Sequence, residues 1–136
     1  MGRAHSSPDL ALLFAALSDR TRLRLLNLMD GREVCVCYFV EILGQSQPKI
    51  SRHLAYLRKA GVVSSRREGK WMHYRICSLA DGAAASILAA TLASFGHDQQ
   101  MQADLAKFDL ARRAPQILVL PAGAPRPTAI AQRAES

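Results

Sequence analysis

Long apolar runs and paired cysteines are both scarce in this sequence. No stretch approaches the roughly 20 consecutive apolar residues that a membrane-spanning helix needs. The apolar run 10–17 lies between Asp9 and Asp19 and is not followed by a small-residue cleavage site. The 136 residues include three cysteines, an odd number and fewer than disulfide-stabilised domains usually carry. We therefore expect one domain with one modest core, located in the reducing cytoplasm and without membrane contact.

Acidic residues are almost absent from residues 45–75. This segment has eight Lys and Arg residues against one acid, Glu68, whereas the rest of the chain has ten residues of each sign. The whole net charge of +7 therefore lies in one stretch. A merely solvated face would usually mix both signs, so the segment favours a surface that binds nucleic-acid phosphates.

The sequence also lacks the residue patterns of common active sites. It has no Ser/His/Asp spacing, no paired carboxylates in a cleft-like context and no glycine-rich phosphate loop. A thiol reductase would typically show Cys-x-x-Cys beside a βαβ pattern. We therefore predict a binding protein and not an enzyme.

Capping residues and helical periodicity predict four short helices. These cover residues 8–17, a second segment from its cap at Ser18 or Asp19 to Asp30-Gly31, residues 35–43, and a fourth segment from its cap at Ser46 to Gly61. In the fourth helix Ile50, Leu54 and Leu57 recur at helical spacing and are expected to be buried. Its opposite side is polar and basic, as a DNA-reading helix requires.

Two strands, residues 62–67 and 70–76, are predicted to follow and to be joined by a tight turn across Glu68-Gly69. Residues of the second strand alternate, with His73 on the side that faces phosphate or water. The apolar side consists of Met72, Tyr74 and Ile76. A capped basic helix followed by a basic hairpin predicts a winged helix-turn-helix, mainly α with a small β-hairpin.

The C-terminal third begins with an alanine-rich apolar segment. Residues 83–108 predict one long helix that Gly96 kinks or interrupts. Its stripe is too apolar to face water alone, so we expect a dimer interface, with packing onto its own domain as the alternative. The predicted organisation is a flexible N-terminus at 1–7, a DNA-binding and dimerisation domain at 8–112, and a disordered, proline-rich tail at 113–136.

Cys35-Val36-Cys37 lies at the start of the predicted third helix. Two thiolates select soft ions and offer nothing attractive to magnesium or calcium. If both residues were helical, their side chains would point about 200° apart, so we expect ion binding to distort the start of this helix. The alternatives are two buried structural cysteines or a redox switch through a strained disulfide. Zinc sensing in the C-terminal helix is disfavoured, because that helix offers only His97 beside Asp98.

Four segments together resemble the arsenic-responsive repressors of the ArsR/SmtB family. They are residues 16–26 (ALSDRTRLRLL), 35–37 (CVC), 45–54 (QSQPKISRHL) and 69–75 (GKWMHYR). The resemblance covers roughly residues 10–77 of the chain. It implies a homodimeric bacterial repressor of an arsenic-detoxification operon that binds an inverted repeat in double-stranded operator DNA. It also implies release by trivalent arsenic or antimony, the inducer, at Cys35 and Cys37.

One departure from the family pattern concerns the third sulfur. In the family's arsenite sensors the motif continues as CVCDLC, whereas Val40 stands here at the third cysteine position. Cys77, the remaining thiol, lies a full wing away from the pair. We therefore expect two protein thiolates, with a small-molecule thiol or hydroxide as the third donor. A redox-sensing repressor, or one that responds to cadmium, lead or zinc, is the alternative function.

The predicted DNA contacts divide between the fourth helix and the wing. The leading end of the helix approaches base edges in the major groove, where Gln pairs with adenine and Arg with guanine. The candidates there are Gln45, Ser46, Gln47, Lys49, Ser51 and Arg52. The wing candidates, expected to touch phosphate and to fix position without reading sequence, are Arg66, Arg67 and Lys70.

Overall fold

The computed structural model describes residues 9–79 and 82–114, which contain six α-helices and three strands. In chain order these are α1 (Leu10–Leu17), α2 (Arg20–Met29), β1 (Val34–Cys35), α3 (Val36–Leu43), α4 (Gln47–Lys59), β2 (Val63–Glu68), β3 (Trp71–Ile76), α5 (Gly82–Ser94), a 3₁₀ turn (Phe95–His97) and α6 (Gln99–Arg113). None of the described helices has the length and apolar character needed to cross a membrane. The predicted flexible segment 1–7 lies outside the described residues. The predicted disordered tail, 113–136, begins too early, because α6 continues to Arg113, and its residues beyond 114 lie outside the described residues.

Side-chain caps start α2 and α4 where the sequence predicts. The carboxylate of Asp19 accepts a hydrogen bond from the N–H of Arg22 at 3.0 Å and so begins α2. The hydroxyl of Ser46 accepts from the N–H of Lys49 at 3.4 Å and begins α4. Each cap satisfies a backbone donor that the first helical turn leaves open. The start of α4 is therefore determined locally.

One apolar core joins the helices to the sheet. The predicted inward face of α4 is confirmed, since Ile50, Leu54 and Leu57 are fully buried. Phe39 of α3 is buried as well, and the centre of its ring lies 6.5 Å from that of Tyr74 in β3. The helix that follows the cysteine motif and the central strand of the sheet therefore share a core.

The predicted hairpin of β2 and β3 is confirmed, with a shift of one residue in its loop. Glu68 pairs with Trp71, so the two-residue loop is Gly69-Lys70 and not Glu68-Gly69. Gly69 has a φ of 61°, which suits glycine at the first loop position of a type II′ turn. The turn directs the basic loop away from the core.

Strand β1 is an element that the sequence pattern does not predict. It pairs antiparallel with β3, Val34 opposite Tyr74 and Cys35 opposite His73, which gives the sheet the order β1-β3-β2. Strand β3 thereby becomes the central strand. His73 is 3% exposed, so the prediction that it faces phosphate or water is wrong.

The long helix predicted for residues 83–108, with a kink or an interruption at Gly96, is interrupted there and forms two helices. Helix α5 ends at Ser94, Gly96 lies in the 3₁₀ turn, and α6 begins after Asp98. The backbone of Asp98 is extended, and its carboxylate accepts a hydrogen bond from the N–H of Met101 at 3.0 Å. This cap starts a new helix instead of continuing the old one.

Helix α6 packs onto its own domain. Arg24 of α2 donates from Nε and from Nη2 to the two carboxylate oxygens of Asp104, at 2.8 and 3.0 Å, and Asp104 is 1% exposed. The amide of Asn27 donates to the carbonyl of Met101 at 2.9 Å. Helix α6 therefore packs onto its own domain, which is the alternative that the sequence analysis leaves open. Helix α5 buries two of its side chains and leaves the others partly or fully accessible.

Candidate thiolate site and DNA-binding surface

The two thiols of the motif converge where β1 meets α3. Their Sγ atoms lie 3.2 Å apart, and Cys35 and Cys37 are 0% and 6% exposed. Cys35 has a φ of −73° and a ψ of 143°, which is an extended conformation. The angle of about 200° is expected only if both cysteines are helical, and that condition is not met, because only Cys37 lies on the helix. An ion can therefore contact both sulfurs without unwinding α3.

The separation of the sulfurs suits an ion with narrow bond angles. With bonds of about 2.3 Å, an ion that contacts two sulfurs 3.2 Å apart subtends an angle of about 90°. Tetrahedral zinc would need the sulfurs about 3.8 Å apart. Trivalent arsenic and antimony carry a lone pair and form pyramidal bonds at less than the tetrahedral angle. Two sulfurs this close can both contact one soft ion.

A hydrogen bond between the thiols makes them unequal. The S–H of Cys37 donates to the sulfur of Cys35, which lowers the pKa of Cys35 and raises the pKa of Cys37. Burial acts to raise the pKa of both thiols. One proton therefore leaves more easily than the other, and the second leaves when a bound cation compensates the added charge.

A third protein donor is not preformed beside the pair. Among residues 9–79 and 82–114, no three His, Cys, Asp or Glu side chains form a group that could hold a metal ion. Cys77 lies four residues beyond His73, the partner of Cys35, which is about 13 Å along the strand direction. Burial raises the pKa of the Cys77 thiol. Val40 follows Cys37 by three residues on α3 and so lies on the same side of that helix.

The leading end of α4 presents polar side chains to solvent. The exposed members of the predicted set are Ser46, Gln47, Lys49, Ser51 and Arg52. Gln45 differs, because it is half-buried and its amide donates to the hydroxyl of Thr21 at 3.0 Å. Gln45 therefore fastens the turn before α4 to α2, while the exposed residues stay available to a partner.

The wing candidates fall into two kinds. Arg67 and Lys70 are exposed beside the loop. Arg66 instead binds Glu33, with its Nε 2.8 Å from Oε2 and its Nη2 2.7 Å from Oε1, and Glu33 is 7% exposed. This guanidinium holds the pKa of Glu33 below its ordinary value. Arg66 therefore ties the wing to Glu33, which precedes β1. The sequence analysis predicts a phosphate contact for Arg66 and does not predict this ion pair.

Arg22 is a positioning residue that sequence analysis overlooks. Its guanidinium donates to the carbonyls of Ala15 and Ala16 at 3.1 and 2.9 Å. It also lies 3.2 Å from Nδ1 of His53 and 4.1 Å from the centre of the Tyr56 ring. The end of α1 is thereby joined to α4. Its partners in α4 are distant in sequence, so no local pattern marks this arginine.

Tyr38 connects the thiol site to α6. Its ring meets that of Phe108 edge-on, with the centres 5.5 Å apart, and the two residues are 3% and 0% exposed. Burial, and then the charge of Cys37, raise the pKa of Tyr38. The residue after the second thiol is therefore held between the site and the last described helix.

Comparison with known proteins agrees with this architecture. Residues 19–65 match the model of the family described as bacterial regulatory proteins of the arsR family. The chain is 45% identical over 67 residues to an uncharacterized HTH-type transcriptional regulator of Methanocaldococcus jannaschii. The aligned residues cover 48% of this chain and 75% of that regulator. This chain belongs to the ArsR family. Its fold is a winged helix-turn-helix, as the sequence predicts.

Two further comparisons concern sequence and fold separately. An arsenical resistance operon repressor of Escherichia coli is 48% identical over 77 residues, which is 56% of this chain and 66% of that repressor. The structure of HlyU from Vibrio cholerae superposes with a TM-score of 0.55 at 27% identity, covering 65% of this chain and 92% of HlyU. The ArsR-family chain thus spans about half to two thirds of the length of the first curated relatives that it matches.

Proposed function

We propose that this ArsR-family protein represses an arsenic-resistance operon and leaves its operator when trivalent arsenic or antimony binds Cys35 and Cys37. The observation that carries the proposal is the 3.2 Å separation of two buried sulfurs at the first turn of α3. Helix α3 leads directly into α4, the candidate DNA-reading helix. The similar E. coli protein is named an arsenical resistance operon repressor, which supports arsenic as the inducing element.

The reaction with arsenous acid balances without electron transfer. Two As–S bonds form, two As–OH bonds break, and the two thiol protons leave with the hydroxides as two water molecules. Arsenic stays trivalent, and its last hydroxyl, or a small-molecule thiol that displaces it, is the third donor. The lowered pKa of Cys35 favours this residue as the first nucleophile, because the thiolate is the reactive form.

Double-stranded operator DNA is inferred to bind along α4 and the wing. The exposed polar end of α4 suits base edges in the major groove, and the exposed Arg67 and Lys70 suit phosphates on either side. Gln45 and Arg66 remain in the candidate set, but their contacts with Thr21 and Glu33 favour a role in positioning the reader. The local excess of positive charge assists approach to DNA.

Homodimerisation is inferred from apolar surface on α1 and α5. Leu10 and Phe14 of α1 are 42% and 55% exposed, and α5 buries two side chains. Exposed apolar side chains of this kind favour a protein partner when they lie together. A symmetric dimer would present two copies of α4, which matches the two-fold symmetry of an inverted repeat.

Operator release measured by fluorescence anisotropy tests the proposal, with a duplex selected in vitro and sodium arsenite as the titrant. We expect Cys35→Ser and Cys37→Ser to bind DNA with nearly unchanged affinity but to stay bound at arsenite concentrations that release the wild type. Cys77→Ser is the matched control and responds normally. Release of Cys35→Ser at the wild-type concentration would contradict the thiol assignment. Antimonite is expected to act as arsenite does, whereas release by cadmium, lead, zinc or peroxide without release by arsenite would identify a soft-metal or redox sensor instead.

A further inference from the structure

One cross-strand row connects the thiol pair to the wing. Cys35 of β1 lies opposite His73 of β3, and His73 lies opposite Arg66 of β2. Directly opposed residues in antiparallel strands project from the same face, with Cβ atoms about 5 Å apart. The row therefore runs across all three strands, from a candidate ligand to the strand that leads into the wing loop.

The Arg66 end of the row is tied back to the start of β1. Glu33 lies two residues before Cys35, and its carboxylate makes three contacts of 2.7 to 3.0 Å with the guanidinium of Arg66. A fork of this kind fixes distance and angle together. Within the described residues β1 has two paired positions, and the ion pair is a further link between this segment and β2. A movement of Cys35 is thus carried to β2.

His73, at the centre of the row, has unused hydrogen-bonding capacity. It is 3% exposed, and its Nε2 lies 3.0 Å from Oε1 of Glu68. The alignment is poor, so this nitrogen has no hydrogen-bond partner within residues 9–79 and 82–114. A buried polar atom without a partner costs free energy. A small shift of β2 against β3 that aligns imidazole and carboxylate would recover that cost, which makes a second arrangement of the row accessible.

We propose that Glu33, His73 and Arg66 are positioning residues that transmit ion binding at the thiol pair to the wing. The inference rests on the proposed function, because it concerns the same thiols. Cys35 and Cys37 are buried, so an ion that replaces their S–H···S contact needs room between packed side chains, and its entry shifts β1. The Glu33–Arg66 ion pair then moves β2 with it, and the wing changes its angle to α4. Contacts of the wing loop with DNA are then lost although the side chains of α4 are unchanged.

Trp71 provides a direct report of this movement. It is the single tryptophan of the chain, it is 7% exposed, and it lies on β3 two residues before His73. Its fluorescence is followed in the purified full-length protein during titration with sodium arsenite, without DNA. Calorimetry measures arsenite affinity, and anisotropy measures operator affinity with and without arsenite. We define the release factor as the operator affinity without arsenite divided by the operator affinity with arsenite.

Two variants of the ion pair and one control test the proposal. Glu33→Gln removes the charge and keeps the shape, whereas Arg66→Lys keeps the charge and loses the planar fork. Both are expected to bind arsenite as the wild type does, to lose most of the Trp71 response, and to lower the release factor by at least about fivefold, the smaller end of usual allosteric effects. Arg113→Lys, at the exposed ion pair with Asp109 on α6, is the matched control and keeps both responses.

The outcomes separate this inference from the proposed function. If both Glu33→Gln and Arg66→Lys keep the wild-type release factor, the proposed transmission through the ion pair is wrong. Release of the wild type without any Trp71 response would also overturn it and would leave the proposed function intact. A Trp71 response to arsenite that the two variants lose, without release of the wild type from DNA, would refute the proposed function and support transmission to the wing.

Discussion

Removal of the Asp104 carboxylate is expected to destabilise the domain strongly. Asp104 accepts hydrogen bonds from Nε and Nη2 of Arg24 at 2.8 and 3.0 Å, and the side chains of Arg24 and Asp104 are 13% and 2% exposed. Asp104→Ala leaves the guanidinium nearly buried without its counter-charge, which costs about 3–5 kcal/mol. For a domain near 100 residues each kcal/mol lowers the melting temperature by about 4–8 °C, so we expect a decrease of more than about 10 °C.

Urea denaturation followed by Trp71 fluorescence measures the decrease in the free energy of unfolding. The protein concentration is kept fixed, because association of copies adds stability. Asp109→Ala is the matched control on the same helix. Asp109 is 47% exposed and lies 2.6 Å from Arg113, and exposed pairs of this kind contribute below about 1 kcal/mol. The double variant Arg24→Met/Asp104→Leu should recover most of the loss, since neither charge is then buried alone. A cost for Asp104→Ala no larger than that of Asp109→Ala would refute the reasoning.

Three further predictions concern DNA, the third arsenic donor and the chain end. Arg52→Ala is expected to cost about 1–3 kcal/mol of operator affinity and to relax base preference. Lys70→Ala is expected to weaken binding to all sequences alike and to reduce the slope of log affinity against log salt concentration by about one in magnitude. Equal, salt-independent losses for both variants in anisotropy titrations would contradict the distinction between a base contact and a phosphate contact. Val40→Cys should tighten arsenite binding and Cys77→Ser should leave it unchanged. X-ray absorption that finds three sulfurs in the wild type without added thiol, but two in Cys77→Ser, would exclude the two-thiolate site. Truncation after Arg113 should preserve dimers in light scattering, and monomers would show that the removed residues matter.

Local chemistry is sufficient to predict α1 to α4 and the hairpin. A capping side chain such as Ser46 satisfies donors within its own first turn, and the spacing of Ile50, Leu54 and Leu57 defines a buried face without knowledge of what covers it. Gly69 marks the hairpin because its backbone needs a positive φ. Each of these signals lies within a few residues of the structure that it specifies.

The parts that the sequence does not predict depend on distant partners. Strand β1 is two residues long, so it has no alternation to detect, and it exists because β3 pairs with it. Its presence makes Cys35 extended, which brings the thiol to 3.2 Å from Cys37. The Glu33–Arg66 ion pair joins residues 33 positions apart and has no local signature. The geometry of the thiol site is therefore a tertiary property, although its chemistry is visible in three residues.

The break between α5 and α6 is a different case, because its signal is local. Asp98 is a favourable N-cap, and its carboxylate does begin α6. Alanine-rich segments with helical spacing on both sides hide this signal, since the periodicity alone permits one continuous helix. Glycine at position 96 marks a weakness, but the capping aspartate decides where the second helix starts.

The relative stiffness of the surroundings favours the wing as the element that moves. Toward α6, the thiol site meets Tyr38 and the fully buried Phe108, on a helix that the Arg24–Asp104 pair holds against α2. Toward the wing, it meets a two-residue strand and an arginine whose side chain is 51% exposed. A bound ion is therefore expected to displace β1 and the wing more than α6. Asp104→Ala should therefore lower stability while leaving the release factor near its wild-type value, and a parallel loss of release would indicate that α6 carries the signal instead.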